Sequence, residues 1–183
     1  MKIYTGKGDT GKTNIISGQD VSKCSTVIEA IGSIDELNAV IGLNISICKH
    51  LEIKNILETV QYNLFVIGSE IASHKLKENN GMKISCEDIQ TAENHIDTID
   101  SKLPELKEFV LPGGSFSASN LNIARTVCRR VERAMVHFLS ENKIETYMPV
   151  YLNRLSDLLF VLARYANLLD DNPEVIWTRK NKP

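Results

Sequence analysis

Between residues 121 and 138 the apolar residues are Leu121, Ala124, Cys128, Val131, Met135 and Phe138, spaced 3, 4, 3, 4 and 3 apart. Such a seam occupies one side of an α-helix and must be covered by other helices. The rhythm recurs at Ile53, Ile56, Val60, Leu64, Ile67 and Ile71, and again at Leu152, Leu155, Leu159, Leu162, Ala166 and Leu169. Ile34, Leu37, Ile41, Ile45 and Cys48 mark another helix, and Ile89, Ala92, Ile96, Ile99 and Leu103 a fifth. Five seams with short connections predict an all-α fold, an antiparallel five-helix bundle. No sustained alternation supports a large sheet. Nothing reads as a linker or an internal repeat, so residues 1–183 are expected to form a single domain.

Local signals place the helix ends. Ser33-Ile34-Asp35-Glu36 spells a capping box and predicts the start of the first helix, with Gly32 interrupting the apolar run before it. Ser85-Cys86-Glu87-Asp88 predicts the start of the third, and Pro104 its end. Pro112-Gly113-Gly114 forces a turn ahead of a fourth helix expected over 116–139. The fifth is expected to start near Pro149 and to stop at Asp170-Asp171-Asn172-Pro173. Residues 75–83 are polar, contain Asn79-Asn80-Gly81 and read as an exposed loop.

Charge and composition narrow the function. A net charge of −2 provides no global basic field and argues against a nucleic-acid partner. No apolar run reaches the ~18 residues of a spanning helix, and the N-terminus lacks an apolar signal region, so a cytoplasmic protein without membrane contact is expected. Cys24, Cys48, Cys86 and Cys128 form no C-x-x-C pair, which suits reduced thiols better than disulfides or zinc. The histidines are dispersed and no Glu-x-x-His pair appears, so no protein-bound metal centre is expected.

The opening Gly6-Lys7-Gly8-Asp9-Thr10-Gly11-Lys12-Thr13 satisfies the spelling G-x-x-x-x-G-K-S/T. Its glycines allow close backbone approach to a polyphosphate, and its lysines add positive charge. A P-loop, however, lies between a buried strand and a helix. Here a short extended piece, Asn14-Ile15-Ile16-Ser17-Gly18, follows instead. The residues leave open a phosphate-binding loop of another kind, a P-loop enzyme, or a plain glycine-rich hairpin. Further on, Arg125, Arg129 and Glu132 fall at i, i+4 and i+7, each one position after a seam residue and so ~100° round the helix. Arg130 and Arg133 add charge to the same turns. Guanidinium forks there can hold phosphate oxygens, or simply balance Glu132 on a solvated face. On the fifth helix Asn153 and Asp157 share a face, and Arg154 can pair with Asp157.

Five segments in order carry a resemblance. They are Tyr4-Thr5-Gly6-Lys7-Gly8-Asp9-Thr10-Gly11, the Gly32-Ser33-Ile34-Asp35-Glu36-Leu37-Asn38 stretch, Leu111-Pro112-Gly113-Gly114, the Ala124-Arg125-Thr126-Val127-Cys128-Arg129-Arg130-Val131-Glu132-Arg133 helix, and Tyr151-Leu152-Asn153-Arg154-Leu155-Ser156-Asp157. Together they resemble the PduO-type ATP:cob(I)alamin adenosyltransferases over nearly the whole chain. The resemblance implies a five-helix bundle with an extended N-terminal nucleotide-binding segment, assembled as a homotrimer with active sites between subunits. It implies transfer of the 5′-deoxyadenosyl group from ATP to reduced cobalamin, with Mg²⁺ on the triphosphate. A reductase or a cobalamin-dependent enzyme would be a further partner. The alternatives are a nucleotide-binding phosphohydrolase and a corrinoid carrier without transfer activity.

The resemblance also assigns residues. Thr5, Gly6, Lys7, Gly8, Thr13, Asn14 and Lys23 would form the N-terminal ATP segment, and Arg129, Glu132, Arg133 and Asn153 would complete the nucleotide pocket. Arg129 would stabilise the leaving triphosphate. Asp35 would pair with Arg125 across the bundle on the corrinoid side, and both join Arg129 as catalytic candidates. Phe109 would face the lower side of the corrinoid, although an ordinary core aromatic is the other reading of that residue. Many members carry Lys directly after the opening Thr, whereas this chain has Gly6 there and Lys7 next.

Overall fold

A computed structural model describes residues 3, 4, 6, 8–16, 18–76 and 82–178. Five helices account for most of it: α1 (Thr26–Ile47), α2 (Leu51–Ala72), α3 (Cys86–Asp100), α4 (Phe116–Glu141) and α5 (Met148–Leu169). A small hairpin of β1 (Lys12–Asn14) and β2 (Asp20–Ser22) precedes them, with Thr13 opposite Val21. Helix α1 packs against α2 and α4, α4 packs against α5, and α3 covers the other side of α5. The expected bundle is therefore present, with the seams turned inward. Leu121, Ala124, Cys128, Val131, Met135 and Phe138 of α4 are all buried, as are Leu152, Leu155, Leu159, Leu162 and Ala166 of α5. Each fully buried Leu or Phe side chain contributes roughly 1.5–3 kcal/mol of transfer free energy. No described helix is long and apolar enough to cross a membrane.

The start of α1 departs from the sequence expectation. The helix begins at Thr26 behind Ser25 and runs straight through Gly32 and Ser33. Ser33 is buried inside it, so Ser33-Ile34-Asp35-Glu36 caps nothing. The reason is the continuity of the buried face: Val27, Ala30, Ile34, Leu37 and Ile41 keep the helical rhythm across the glycine. Burying two more turns outweighs the ~1 kcal/mol that one interior Gly costs. The α3 start follows expectation. The Ser85 hydroxyl accepts from Asp88 N–H at 3.3 Å, and the Asp88 carboxylate accepts from Ser85 N–H at 2.9 Å.

Polar side chains pin the loops to the bundle. Asn167 on α5 accepts from Ser115 N–H at 2.8 Å and donates to the Gly113 carbonyl at 3.1 Å. Gly114 lies between them with φ 104°, and a Cβ there would collide with the Asn167 carboxamide. Glu70, buried on α2, accepts from Ile84 N–H and from the Thr146 hydroxyl. Thr146 in turn accepts from Met148 N–H, so the first turn of α5 is capped from α2. At the other end His50, which precedes α2, lies 2.9 Å from Asp170, which follows α5.

Two outcomes are expected. Gly114→Ala combines a disfavoured φ with a collision against a buried side chain and should cost about 2–4 kcal/mol by chemical denaturation. Hydrogen bonds from Ser115 and His50 hold the Asp170 carboxyl below its ordinary value of 3.8. Its contribution is thus present above the usual carboxylate range and is lost as pH falls through the lowered value. Between about pH 5 and about pH 3 the native chain should lose stability more steeply than Asp170→Asn, a difference read from paired denaturation curves.

Candidate active site

The glycine-rich opening folds as two tight turns leading into the hairpin. Gly6 and Gly11 adopt φ of 70° and 80°, Asp9 N–H reaches the Gly6 carbonyl, and Gly11 N–H reaches the Gly8 carbonyl. Lys23 donates its backbone N–H to the Gly11 carbonyl at 2.9 Å and lays its ammonium over Gly8. A Cβ on Gly8 would stand 3.1 Å from Lys23 Nζ, so the glycine makes room for the charge. Thr13, Asn14 and Lys23 then line one hollow of about 560 Å³ against the start of α1. The residues after the loop form β1, where a P-loop requires a helix N-terminus, and the P-loop reading is therefore set aside. Thr5 and Lys7, expected in the same set, lie outside the described residues.

On α4, Arg129, Glu132 and Arg133 line a second hollow of about 290 Å³. Asn153 on α5 donates its amide to Glu132 Oε1 at 3.1 Å. Arg154 donates to the Asn153 carbonyl oxygen at 3.0 Å and to Glu93 on α3 at 2.7 Å, a better partner than Asp157 at 4.0 Å. The Glu93 carboxylate holds the Arg154 guanidinium still more firmly in its charged form. A chain of contacts from α3 through α5 to α4 thus orients Glu132. Arg133 donates to the Arg129 carbonyl at 2.9 Å. The Arg129 guanidinium is exposed and has no hydrogen-bond or ion-pair partner among the described residues. Beneath this face Cys128 is buried, and burial pushes its thiol well above the ordinary range, so it is inert packing.

The expected pairing of Asp35 with Arg125 is not made within the chain. Asp35 lines a hollow of about 340 Å³ between α1 and α2, together with Asn38, Phe65 and Ser69. Arg125 lines a different cavity of about 440 Å³, beside Phe109, Phe160, Arg164 and Asn167. The cause is rotation: the seams that bury Ile34 and Ala124 point Asp35 and Arg125 away from each other. Arg125 instead donates to Asn122 Oδ1 at 3.3 Å and lies 6.0 Å from the centre of the Phe160 ring. Phe109 is 81% exposed, which removes the core-aromatic reading.

The site residues therefore fall on two faces. One joins the hairpin hollow to the Asp35 hollow, which share Ile16, Ile31 and Gly32. The other joins the Arg129–Arg133 hollow to the Phe109–Arg125 cavity along α4. Sequence reasoning missed Asn38, which lines the Asp35 hollow and whose buried Oδ1 has no partner among the described residues. It also missed Arg164, which the sequence flags as a charge inside the apolar run Leu158-Leu159-Phe160-Val161-Leu162-Ala163 to Tyr165.

The chain is thus a helical bundle with a lysine-covered glycine turn and a hollow lined by two arginines. The family model for cobalamin adenosyltransferase matches residues 3–166. The corrinoid adenosyltransferase of Bacillus subtilis (strain 168) is 40% identical over 171 residues, covering 91% of this chain and 87% of that protein. Corrinoid adenosyltransferase PduO of Citrobacter freundii is 41% identical over 165 residues, and the match spans 90% of this chain but 49% of that longer relative. A variant PduO-type ATP:corrinoid adenosyltransferase from Lactobacillus reuteri, solved with cobalamin and ATP, superposes with a TM-score of 0.92 at 36% identity, covering 97% of this chain and 100% of that one. The chain belongs to the cobalamin adenosyltransferase family.

Because the Arg129 guanidinium is exposed and has no hydrogen-bond or ion-pair partner among the described residues, Arg129→Ala should leave stability within about 0.5 kcal/mol of the native chain. Asn153→Ala should cost about 0.5–1.5 kcal/mol, since it takes away the hydrogen-bond donor of the half-buried Glu132 and one acceptor of Arg154. Urea unfolding of both variants separates the two residues.

Proposed function

We propose that this protein transfers the 5′-deoxyadenosyl group of ATP to the cobalt of a reduced corrinoid and releases triphosphate. The observation that carries this reading is the division of the site into two faces of matched content. Each face holds a nucleotide part and a ring-facing part. The hairpin hollow has Thr13, Asn14 and Lys23, with Asp35 next to it. The α4 face has Arg129, Glu132 and Arg133, with Arg125 and Phe109 next to them. Joining the first face of one subunit to the second face of another completes both parts at once. It also brings Asp35 of one subunit toward Arg125 of the next. Such a contact is heterologous and must close into a ring, which a homotrimer does. Exposed Phe65, Ile123 and Val136 supply apolar surface for it.

The low-valent cobalt is the nucleophile, so the protein needs no nucleophile of its own. Its work is to place the ribose C5′ in line with the cobalt and to receive the charge that leaves. As the cobalt–carbon bond forms, the C5′–O bond breaks and its electron pair goes to the triphosphate. Arg129, having no internal partner, is free to hold those oxygens, with Lys23 and the turn amides on the opposite side. Glu132, held by Asn153, positions the nucleotide and the neighbouring guanidinium. No group of three or more His, Cys, Asp or Glu side chains stands together among the described residues. A Mg²⁺ ion therefore fits this site as an ion carried on the phosphates, bound largely by them and by water. An apolar ring at Phe109 disfavours water or the nucleotide base as lower cobalt ligand, which makes Co(II) easier to reduce.

Anaerobic incubation with ATP, Mg²⁺ and chemically reduced cobalamin should yield the visible spectrum of the adenosylated product and one triphosphate per turnover. Release of orthophosphate or ADP, or binding without turnover, would overturn the proposal. Arg129→Ala should lower kcat by about 100- to 1,000-fold, the loss typical of removing a fixed donor from a developing anion. Sedimentation of the native chain should give a trimer.

A further inference from the structure

Arg164 lies in the middle of α5 with a side chain only 4% exposed. A guanidinium at that depth requires a charge partner and hydrogen bonds for its donors. It finds both in the tail beyond α5. Nε donates to Glu174 Oε1 at 2.9 Å and Nη2 to Glu174 Oε2 at 3.2 Å, a fork-on-fork pair. Nη2 also donates to the Pro104 carbonyl at 2.8 Å, and Asp100 stands 3.8 Å from Nη1. Past Glu174 the tail runs antiparallel to the segment carrying Phe109. Leu111 N–H donates to the Val175 carbonyl at 2.8 Å, Trp177 N–H donates to the Phe109 carbonyl at 2.7 Å, and Val110 pairs with Ile176. Phe109, with its ring largely in solvent, thus takes its place from backbone bonds to a tail that Arg164 anchors.

We propose that the Arg164–Glu174 pair is a positioning device for the lower face of the corrinoid: it locks the tail against residues 109–111 and thereby sets Phe109 at the mouth of the 440 Å³ cavity. This rests on the reading of Phe109 given above. Arg164 and Glu174 act through Phe109 and are positioning residues. Among the described residues, the tail's hydrogen bonds from Glu174 onward go to Arg164 and to residues 109–111, and none reaches the nucleotide groups on α4 or the hairpin. Loosening the clamp should therefore disturb corrinoid coordination and leave ATP binding alone.

The test uses Glu174→Gln, Glu174→Asp and Phe109→Ala under anaerobic conditions, with cob(II)alamin and ATP for the spectra and with chemically reduced cobalamin and ATP for the kinetics. Glu174→Gln should raise the KM for corrinoid about tenfold, the scale of one lost charge-assisted hydrogen bond. It should lower the fraction of cob(II)alamin without a lower ligand in the visible and EPR spectra, and leave the KM for ATP within about twofold. Glu174→Asp should recover most of both. Trp177→Pro removes the N–H that reaches Phe109 while keeping the ion pair, and should give the same spectral change even if Glu174→Gln folds poorly. The clamp is refuted if Phe109→Ala alters coordination while Glu174→Gln and Trp177→Pro do not, or if both kinetic constants and thermal stability fall together with no spectral change. Unaltered coordination in Phe109→Ala itself would remove the reading beneath, and the clamp with it.

Discussion

The burial of the α4 seam against α5 governs the rest of the molecule. Once Leu121, Ala124, Cys128, Val131, Met135 and Phe138 are all driven into the core, the rotation of α4 about its axis is settled. Cys128 even donates its thiol to the Leu152 carbonyl at 3.3 Å, leaving no slack between the two helices. Every charged residue of α4 then occupies a determined bearing. Arg125, Arg129 and Glu132, one position after seam residues, stand at the margin of the core, where a guanidinium can meet a ligand without being buried. Shifting the seam by one residue would bury these charges, at a cost of several kcal/mol each. The hydrophobic rhythm is therefore also the device that aims the site.

The same rotation explains why Asp35 and Arg125 line different hollows within one chain. Helix α1 is bound by its own seam, which turns Asp35 toward α2 and away from α4. Ile34 and Ala124, next to them in sequence, are both buried and hold the two side chains in these directions. On the proposed reading, the residues that diverge in one chain would meet through a second copy of it. Both faces are mixed in charge: the α4 face carries Arg125, Arg129 and Arg133 with Glu132, and the hairpin face carries Lys23 with Asp35.

Much of this was legible in the amino-acid order, and what was not has definite causes. The five seams announced the bundle because burial is periodic and strong. The α4 cluster was legible because i, i+4, i+7 spacing translates directly into a shared face, whereas Asn153 on the next helix was reached only through the family resemblance. The start of α1 was misplaced because a capping box is a local signal of about 1 kcal/mol, and the apolar face extending back to Val27 overrode it. The Asp35–Arg125 pairing was misassigned because a motif states which residues cooperate and not whether one chain brings them together. The tail bridge could not be read at all, since the pairing of Val110 with Ile176 depends on how far α5 carries the chain before it turns back.

Arg129 and Arg164 show how one side chain serves two ends under a single electrostatic rule. Arg164 is buried, so its charge must be met internally, and Glu174, Pro104 and Asp100 surround it. Arg129 is exposed and unmet, although Glu132 lies one turn away and is engaged by Asn153. Had Glu132 been free it would have competed with a phosphate for the Arg129 guanidinium. Holding the carboxylate from α5, through an amide that Arg154 itself orients, keeps the cation available. On the proposed reading, a site built this way would present positive charge to an incoming phosphate without first having to break an ion pair.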